Sequence, residues 1–209
     1  MAFDDLVRMH VRNLAAANCV LFFWSTTDSL LDDLEIMAEW GFAAFRPRDE
    51  VGRLKRDAEG RTLRPVGEGS YRSHQVWGKD RIGTGYWFRN KHELLLVGVR
   101  GDVPAPLPGT QTPSLYTAPV ERHSQKPVCF REMIERHYPN LPKIELFCRG
   151  VAAPGWHAFG NEAIQAHPDF EITGAIESTS PGLAQSDGVP GATGDGLGAD
   201  VQFFVSGRP

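Results

Sequence analysis

The apolar run CVLFFW, residues 19–24, constrains the fold of this 209-residue chain more than any other feature. Its length suits a β-strand, and an unbroken apolar run indicates a strand that is buried on both faces of its sheet. Such a strand needs a layer of structure on each side. Residues 30–40 carry apolar side chains at helical spacing and Gly41 ends the pattern, so a strand–loop–helix unit is predicted.

Further elements follow the same alternation along the chain. Strands are predicted at residues 42–45, 75–79, 94–99 and 143–148, and helices at residues 4–14 and 126–137. Residues 102–119 are rich in proline and are predicted to be irregular. Strands that alternate with helices predict an α/β sheet domain, in which ligands bind at the carboxyl ends of the strands.

Two segments depart from this pattern. Residues 46–73 are charged and nearly free of large apolar side chains, which predicts an insertion that is poorly ordered or detached from the core. It forms either a hairpin around residues 58–60 or a flexible loop, and its basic character suits either a phosphate footprint or a solvated surface. Residues 163–209 are low in complexity and predict a mostly disordered tail, whose VQFFV run could either pair with something or lie out of structural context. The predicted domain therefore covers residues 1–162.

Several functional classes find no support in the composition. No apolar run is long enough to span a membrane and the amino terminus lacks a signal pattern, so a cytoplasmic protein without a membrane partner is expected. The three cysteines are scattered and form no C-x-x-C pair. This spacing argues against a disulfide framework and a zinc site, and no metal is expected.

The segment GTGYWFRNKHELLLVGVRG, residues 83–101, joins an aromatic and basic loop to a core strand. Tyr86, Trp87, Phe88, Arg89 and Lys91 fall on that loop. Aromatic rings beside cations suit a flat, anionic partner such as a nucleotide or a nucleic acid. The alternative is that these aromatic side chains fold back onto the core.

Three stretches in order carry a family resemblance: residues 83–101, ERHSQKPVCFREMIERHYP at 121–139, and KIELFCRG followed by PGWHAFGNE within 143–162. Together they resemble the N6-adenine methyltransferases of the mRNA adenosine methyltransferase catalytic-subunit type, the MT-A70 family, over residues 4–45 and 74–162. The resemblance implies a Rossmann-like methyltransferase sheet with flanking helices that uses S-adenosylmethionine (SAM). It also implies DNA or RNA as the partner, and it allows a homodimer or a heterodimer.

The resemblance assigns residues to two sides of one site. On the cofactor side it implies His123, Ser124, Lys126, Arg149, Asn161 and Glu162. On the substrate side it implies Trp87, Arg89 and Glu93. The cofactor's carboxylate, ribose diol and adenine need a cation, an acid or amide, and polar edges, which these residue types supply. Lys126, Arg149, Asn161 and Glu162 are therefore expected to converge on one pocket.

One part of the family pattern is missing. The family signature Asp-Pro-Pro-Trp holds the target amine, yet these 209 residues contain no Pro-Pro pair. The resemblance thus implies a domain that lacks its first strand and catalytic loop, and no catalytic residue can be assigned. The chain is either a fragment with a misplaced start or a degenerate relative.

Three functions are compatible with the sequence. The first is SAM-dependent methyl transfer to the exocyclic amine of adenine in DNA or RNA, with this chain alone inactive. The second is an inactive relative that binds nucleic acid or scaffolds an active subunit. The third is a Rossmann-like domain for another nucleotide, for which the chain offers no glycine fingerprint.

Overall fold

The computed structural model describes residues 3–121, 125–160, 162–164 and 201–206. The helices are α1 (Phe3–Val7), α2 (Val11–Leu14), α3 (Leu30–Glu39) and α4 (Val128–His137). The strands are β1 (Asn18–Ser25), β2 (Gly69–Lys79), β3 (His92–Arg100), β4 (Leu115–Ala118), β5 (Lys143–Leu146), β6 (Arg149–Val151), β7 (Trp156–Phe159), β8 (Glu162–Ile164) and β9 (Val201–Ser206). In this part of the chain, no helix has the length and apolarity needed to cross a bilayer.

Seven strands form one sheet in the order β4-β2-β3-β1-β9-β5-β7, and β6 pairs with β8 separately. The pairs β2–β4 and β5–β7 are parallel, whereas the other four neighbouring pairs are antiparallel. The mixed α/β class agrees with the sequence prediction. The sheet is mostly antiparallel because β3 and β9 each run opposite to both of their neighbours, whereas β1, β2, β4, β5 and β7 all run in one direction. β2 and β3 are joined by the loop at residues 80–91 rather than by a crossover helix.

Strand β1 lies inside the sheet, and its side chains pack in both hydrophobic cores. Cys19, Leu21 and Phe23 point into a core shared with α1 and α3. The alternating residues Val20, Phe22 and Trp24 point into a second core shared with α4. All six are at most 4% exposed. Burying a large apolar side chain stabilises a fold by about 1.5–3 kcal/mol, so this strand fixes both layers.

Helix α3 packs Ile36 and Met37 against the sheet, and it ends where Gly41 adopts a φ of 85°. The Trp40 indole nitrogen donates to the Leu6 carbonyl at 2.9 Å, which ties α3 to α1. The predicted single helix over residues 4–14 is wrong, since α1 and α2 are separated by a turn. Leu6 and Val11 are both buried, and a continuous helix would not place residues five apart on one face.

Two predictions of strands need correction. Residues 42–45 form no strand, and within them only Phe45 makes a bridge, to Val66. Phe42 and Ala43 are nevertheless buried, and the backbone at Phe42 lies close against Gly69 of β2 and Gly98 of β3. Strand β4 was missed because it lies in the proline-rich segment. It occupies the sheet's edge beside β2, the position in which nearby prolines are tolerated.

Most residues of the insertion are exposed, and its last residues, 69–73, belong to β2. That it is poorly ordered or detached from the core stays a prediction. It contains two similar turns. Asp49 Oδ1 accepts from the Val51 and Arg53 backbone nitrogens at 3.0 and 2.8 Å. Asp57 Oδ1 accepts from the Glu59 and Arg61 nitrogens at 3.1 and 2.9 Å. Arg56 and Thr62 form an antiparallel bridge around this turn, which confirms the predicted hairpin around residues 58–60. Local side-chain hydrogen bonds shape this segment where apolar burial is lacking.

The predicted tail contributes strands to the described structure. β9 lies between β1 and β5 and is antiparallel to both, which differs from the prediction of disorder for residues 201–206. Strand β1 thus has a neighbour on both sides, where the resemblance had implied a missing strand. Residues 165–200 and 207–209 lie outside the described residues, and their predicted disorder stays a prediction.

Close packing between α3 and the sheet gives a testable consequence. A Cβ atom on Gly98 would lie 2.5 Å from the Phe42 carbonyl oxygen and 2.8 Å from Met37 Cε. We expect Gly98→Ala to lower the free energy of unfolding by about 1–3 kcal/mol, because the backbone of Phe42 must shift. Gly78→Ala is the control, since its Cβ would meet nothing closer than 3.4 Å. Equal urea midpoints for the two variants would contradict this packing.

Candidate functional site

One edge of the sheet collects the ends of several strands. The register places Ser25, at the end of β1, opposite Leu94, near the start of β3. β5 runs in the same direction as β1, because both are antiparallel to β9, and β7 is parallel to β5. β1, β5 and β7 therefore all end at this edge, which we call the carboxyl edge. β2 also ends there, at Lys79.

A charged triad lies at the carboxyl edge. Glu93 Oε1 accepts from Lys79 Nζ at 2.5 Å, and its Oε2 accepts from Lys126 Nζ at 2.9 Å. The three side chains are only 11–20% exposed. Charged side chains that are this well buried need partners of opposite charge. Both lysines pair with the carboxylate of Glu93. The triad carries a net charge of +1, as two lysines face one glutamate.

Aromatic rings form the floor of the triad. Lys126 Nζ lies 5.4 Å from the centre of the Trp24 ring, and Lys79 Nζ lies 5.0 Å from the centre of the Trp77 ring. The two indoles are in edge contact at 6.1 Å, and Phe130 packs against Trp24 at 4.9 Å. Cations over indole faces are attracted to the ring quadrupole, more strongly when water is excluded. The rings thus hold both ammonium groups at this edge.

The electrostatics of Glu93 follow from this arrangement. Burial alone would raise the pKa of Glu93, but the charge of Lys126 and the hydrogen bonds from Lys79 and Lys126 outweigh it. The net effect is a pKa below the ordinary value of 4.5. Glu93 is therefore an ionised carboxylate and a weak base. It can orient Lys126 and balance its charge, but it is poorly suited to accept a proton from a substrate.

A second polar group lies behind the same edge, at the start of α3. Asp33 is 3% exposed and accepts from Ser29 Oγ at 2.6 Å. Burial raises the pKa of Asp33, while hydrogen bonds from Ser25 and Ser29 lower it by less. These contacts fix the loop between β1 and α3. Asn90 Nδ2 reaches Asp28 in that loop at 3.4 Å, so the aromatic loop after β2 contacts it too.

The remaining predicted cofactor residues divide into described and undescribed ones. Arg149 and Glu162 are register partners in the β6–β8 pair, just beyond the ends of β5 and β7. They therefore lie at the carboxyl edge, in a two-stranded sheet separate from the strands that carry the triad. His123, Ser124 and Asn161, and the side chain of Glu162, lie outside the described part of the structure. Convergence on a single pocket stays a prediction.

The predicted substrate-side residues differ in their surroundings. Glu93 is in the triad, whereas Trp87 and Arg89 lie on the loop between β2 and β3. Trp87 is 94% exposed, which excludes the alternative that its ring folds back onto the core. Arg89 Nε donates to the Gly83 carbonyl at 2.8 Å within the loop. Their role in binding a substrate stays a prediction.

Sequence reasoning missed Lys79, Trp24 and Trp77 as site residues. A signal was present for Lys79, because it is the last residue of β2 and Glu93 is the second residue of β3, on either side of one loop. The tryptophans gave none, since their apolar rings are equally typical of a core.

A cavity of about 430 Å³ lies at the opposite edge, at the amino ends of β5 and β7. Its lining includes Glu135, Lys143 and Trp156. The polar groups there bind one another: Trp156 Nε1 donates to Glu135 at 2.7 Å, and Lys143 Nζ donates to the Leu141 carbonyl at 2.8 Å. Charge and aromatic rings instead concentrate at the carboxyl edge, which we take as the candidate site. In the described ranges, no cluster of three or more His, Cys, Asp or Glu residues could hold a metal ion.

The triad leads to a prediction about stability and pH. Glu93→Gln removes the carboxylate that pairs with both ammonium groups, so we expect a loss of about 3 kcal/mol in the free energy of unfolding near neutral pH. The pKa of Glu93 is lowered in the folded protein, so its stabilisation is present above pH 4.5 and is lost as the pH falls through the folded-state pKa.

Urea unfolding of the wild type and the variant between pH 3 and pH 7 measures this difference. The gap should be full above about pH 4.5 and should shrink below it. The exposed Glu132→Gln on α4 is the control and should show no such gap. A gap that is constant across the pH range would contradict the ionised triad.

Comparison with known proteins supports an assignment to a family. The chain is 26% identical over 177 residues to the Type II methyltransferase M.MunI of a Mycoplasma species, which covers 85% of this chain and 64% of that protein. It is 28% identical over 163 residues to an N(6)-adenosine-methyltransferase MT-A70-like protein of Arabidopsis thaliana, and 27% identical over 164 residues to a probable one of Oryza sativa subsp. japonica. Each plant match covers 78% of this chain and about a fifth of the plant protein.

The chain thus spans less than two thirds of the length of each of these relatives. The MT-A70 family model matches residues 1–162, which include the whole triad as well as Arg149 and Glu162. The family that the ordered motifs had suggested is therefore confirmed, and this chain belongs to the MT-A70 family.

Proposed function

We propose that this chain takes part in SAM-dependent methyl transfer to the exocyclic amine of adenine in DNA or RNA. It would do so as part of a Rossmann-like methyltransferase domain. The observation that supports this most is the triad of Lys79, Glu93 and Lys126 at the carboxyl edge. Ligands of open α/β sheets bind at that edge, and the family motifs around Arg149 and Glu162 lie there too.

The residues at this edge fit the charges of SAM. The triad's net charge of +1 suits the cofactor's carboxylate, and Lys126 is the lysine that the family resemblance assigns to it. The buried Trp24 Nε1 has no acceptor among the described residues, whereas Trp77 Nε1 donates to the Ala118 carbonyl. A buried donor without an acceptor costs free energy, and an acceptor group bound at this edge would satisfy it.

The protein's own residues would act mainly by positioning. SAM, when bound, supplies an electrophilic methyl group. Glu93 holds Lys126 in place and is too weak a base to take the amine proton. The indole floor under both lysines excludes water from one side of the site. Fixed charges in a site that excludes water stabilise bound groups more than they would in solvent.

The role of Lys126 can be tested by binding alone. We expect Lys126→Ala to weaken the binding of SAM about tenfold or more, because a hydrogen bond to a charged group contributes about 1.5–3 kcal/mol. Isothermal titration calorimetry on the full chain measures this. Lys55→Ala, an exposed lysine of the insertion, is the matched control and should bind as the wild type does. Equal affinities for all three proteins would contradict the proposed cofactor side.

Catalysis by this chain alone is a separate prediction. The Asp-Pro-Pro-Trp loop that holds the target amine in the family is absent from these residues. Loss of such positioning removes about 7 kcal/mol or more of barrier lowering in favourable cases. We expect no methyl transfer to unmodified DNA or RNA oligonucleotides from the 209-residue chain when radiolabelled SAM is the donor.

If the reading frame upstream of Met1 encodes an Asp-Pro-Pro-Trp stretch, the same assay should include the chain extended to contain it. Activity in the extended chain alone would support a domain completed by that stretch. Clear activity from the 209-residue chain would overturn the prediction. Inactivity of both chains, with SAM binding retained, would favour the scaffolding alternative.

A further inference from the structure

Residues 48–55 and 56–63 of the insertion are two copies of one eight-residue pattern, Arg-Asp-x-x-Gly-Arg-x-x. The copies also repeat each other's contacts. The first arginine of each copy donates from Nη1 to the carbonyl of the glycine four residues later, at 2.6 Å in one copy and 2.7 Å in the other. The two glycines have φ angles of 79° and 80°. We call the copies the first and the second turn, and their equivalent positions can be compared directly.

The two turns differ at one pair of equivalent arginines. Arg61 in the second turn pairs with Asp57 at 2.8 Å and with Glu59 at 2.9 Å. Its counterpart in the first turn, Arg53, pairs with no carboxylate of the described residues. The sequence gives the reason, because Val51 stands in the first turn where Glu59 stands in the second. One turn thus balances the charge of its arginine, and the other leaves that charge for a partner.

A groove of about 630 Å³ lies between the two turns. It is lined by three cations, one carboxylate and two leucines, namely Arg53, Lys55, Arg56, Asp49, Leu54 and Leu63. All three cations are exposed, and within the described ranges none of them forms an ion pair. Asp49 already accepts from two backbone nitrogens of the first turn. Three cations against one carboxylate give the lining a net charge of +2, on a chain whose net charge is −4.

The groove is far from the candidate site. Strand β2 begins at Gly69, shortly after the second turn, and it ends at Lys79 in the triad. A strand of 11 residues spans about 35 Å. The groove lies beyond the amino end of this strand, so it forms no part of a pocket at the carboxyl edge. A duplex that contacted both places would need about ten base pairs between them, since each base pair adds about 3.4 Å.

We propose that this groove is a phosphate-binding surface that holds the backbone of a nucleic acid at a distance from the site of methyl transfer. Guanidinium groups bind phosphate oxygens through paired hydrogen bonds, and several neighbouring cations suit a polymer with a phosphate on every residue. Such contacts carry no base specificity, so they raise the affinity for any sequence. The proposal rests on the proposed function in that it takes a nucleic acid as the partner.

The lining favours a nucleic acid over an acidic protein. Its apolar part consists of two leucines, and it contains no aromatic residue. Protein–protein interfaces are enriched in aromatic side chains and have an apolar centre. Interfaces with nucleic acid are more polar and much more positively charged, as this groove is.

Val51→Glu tests the proposal, because it gives the first turn the carboxylate that pairs with the arginine of the second. Val51 is 70% exposed, so the change disturbs no core. Fluorescence anisotropy of the full chain with a labelled DNA duplex of about 24 base pairs would measure binding over a series of salt concentrations. We expect Val51→Glu and Arg53→Gln each to weaken binding about tenfold at about 0.1 M salt and to reduce the slope of log affinity against log salt by about one. Val51→Gln adds no charge and should bind as the wild type does.

Arg61→Gln is the second control, because it removes the same charge from the equivalent position of the second turn. It should leave the salt slope unchanged, since carboxylates already balance Arg61. Equal changes in slope for Arg53→Gln and Arg61→Gln, or no change for either, would overturn the groove. Tighter binding of poly-glutamate than of the duplex would overturn the nucleic acid as the partner. Displacement of the duplex by a mononucleotide at equal phosphate concentration would also do so, in favour of a free phosphate ligand.

Failure of this proposal is distinguishable from failure of the proposed function, because the binding assay needs neither SAM nor methyl transfer. Duplex binding that depends on Arg53, without any SAM affinity, would contradict the proposed function and support the groove. SAM affinity that depends on Lys126, together with duplex binding that is unchanged in Arg53→Gln, would do the reverse.

Discussion

The burial of β1 on both faces is the constraint on which the rest of the structure depends. Its odd and even residues supply two separate hydrophobic cores, so the strand cannot move without disturbing both layers. A slip of one residue would exchange the two sets of side chains, which makes the register with β3 strongly specified. Helix α3, helix α4 and the neighbouring strands are arranged around this one element.

The position of strand β1 also determines the geometry of the candidate site. Trp24 is the last apolar residue of β1, and its ring lies under Lys126. The β1–β3 register brings the start of β3 to the same level, which is where Glu93 meets both lysines. The buried strand β1 and its neighbours thus hold a carboxylate and two ammonium groups at the edge where strands end. Positioning of this kind is what a transfer reaction between two bound molecules requires of a protein.

The sequence predicted these features unevenly, and the reason differs from residue to residue. Strand β1 and helices α3 and α4 were predictable because long apolar patterns dominate local propensity. The turn between α1 and α2 was not, since Leu6 and Val11 reveal their shared burial only in the folded protein. The turns of the insertion were not predictable for another reason. The side chains of Asp49 and Asp57 shape the insertion by accepting hydrogen bonds from backbone nitrogens. A hydrophobicity pattern does not reveal such hydrogen bonds.

The site shows the same division. Lys126 and Glu93 came from ordered motifs, whereas their pairing, and the part played by Lys79, depend on register across β2 and β3. Strand β9 was anticipated only as an apolar run that could pair, because pairing with β1 and β5 is a long-range property. Neither periodicity nor composition carries information about contacts between distant parts of a chain.

Hydrogen exchange with and without SAM tests the central claim, that the carboxyl edge is the ligand site of this chain. The two edges of the sheet provide an internal comparison. We predict slower exchange in peptides that contain Glu93, Lys126 and Arg149, and unchanged exchange around the cavity beside Lys143. Slower exchange at that cavity, with no change at the carboxyl edge, would contradict the account.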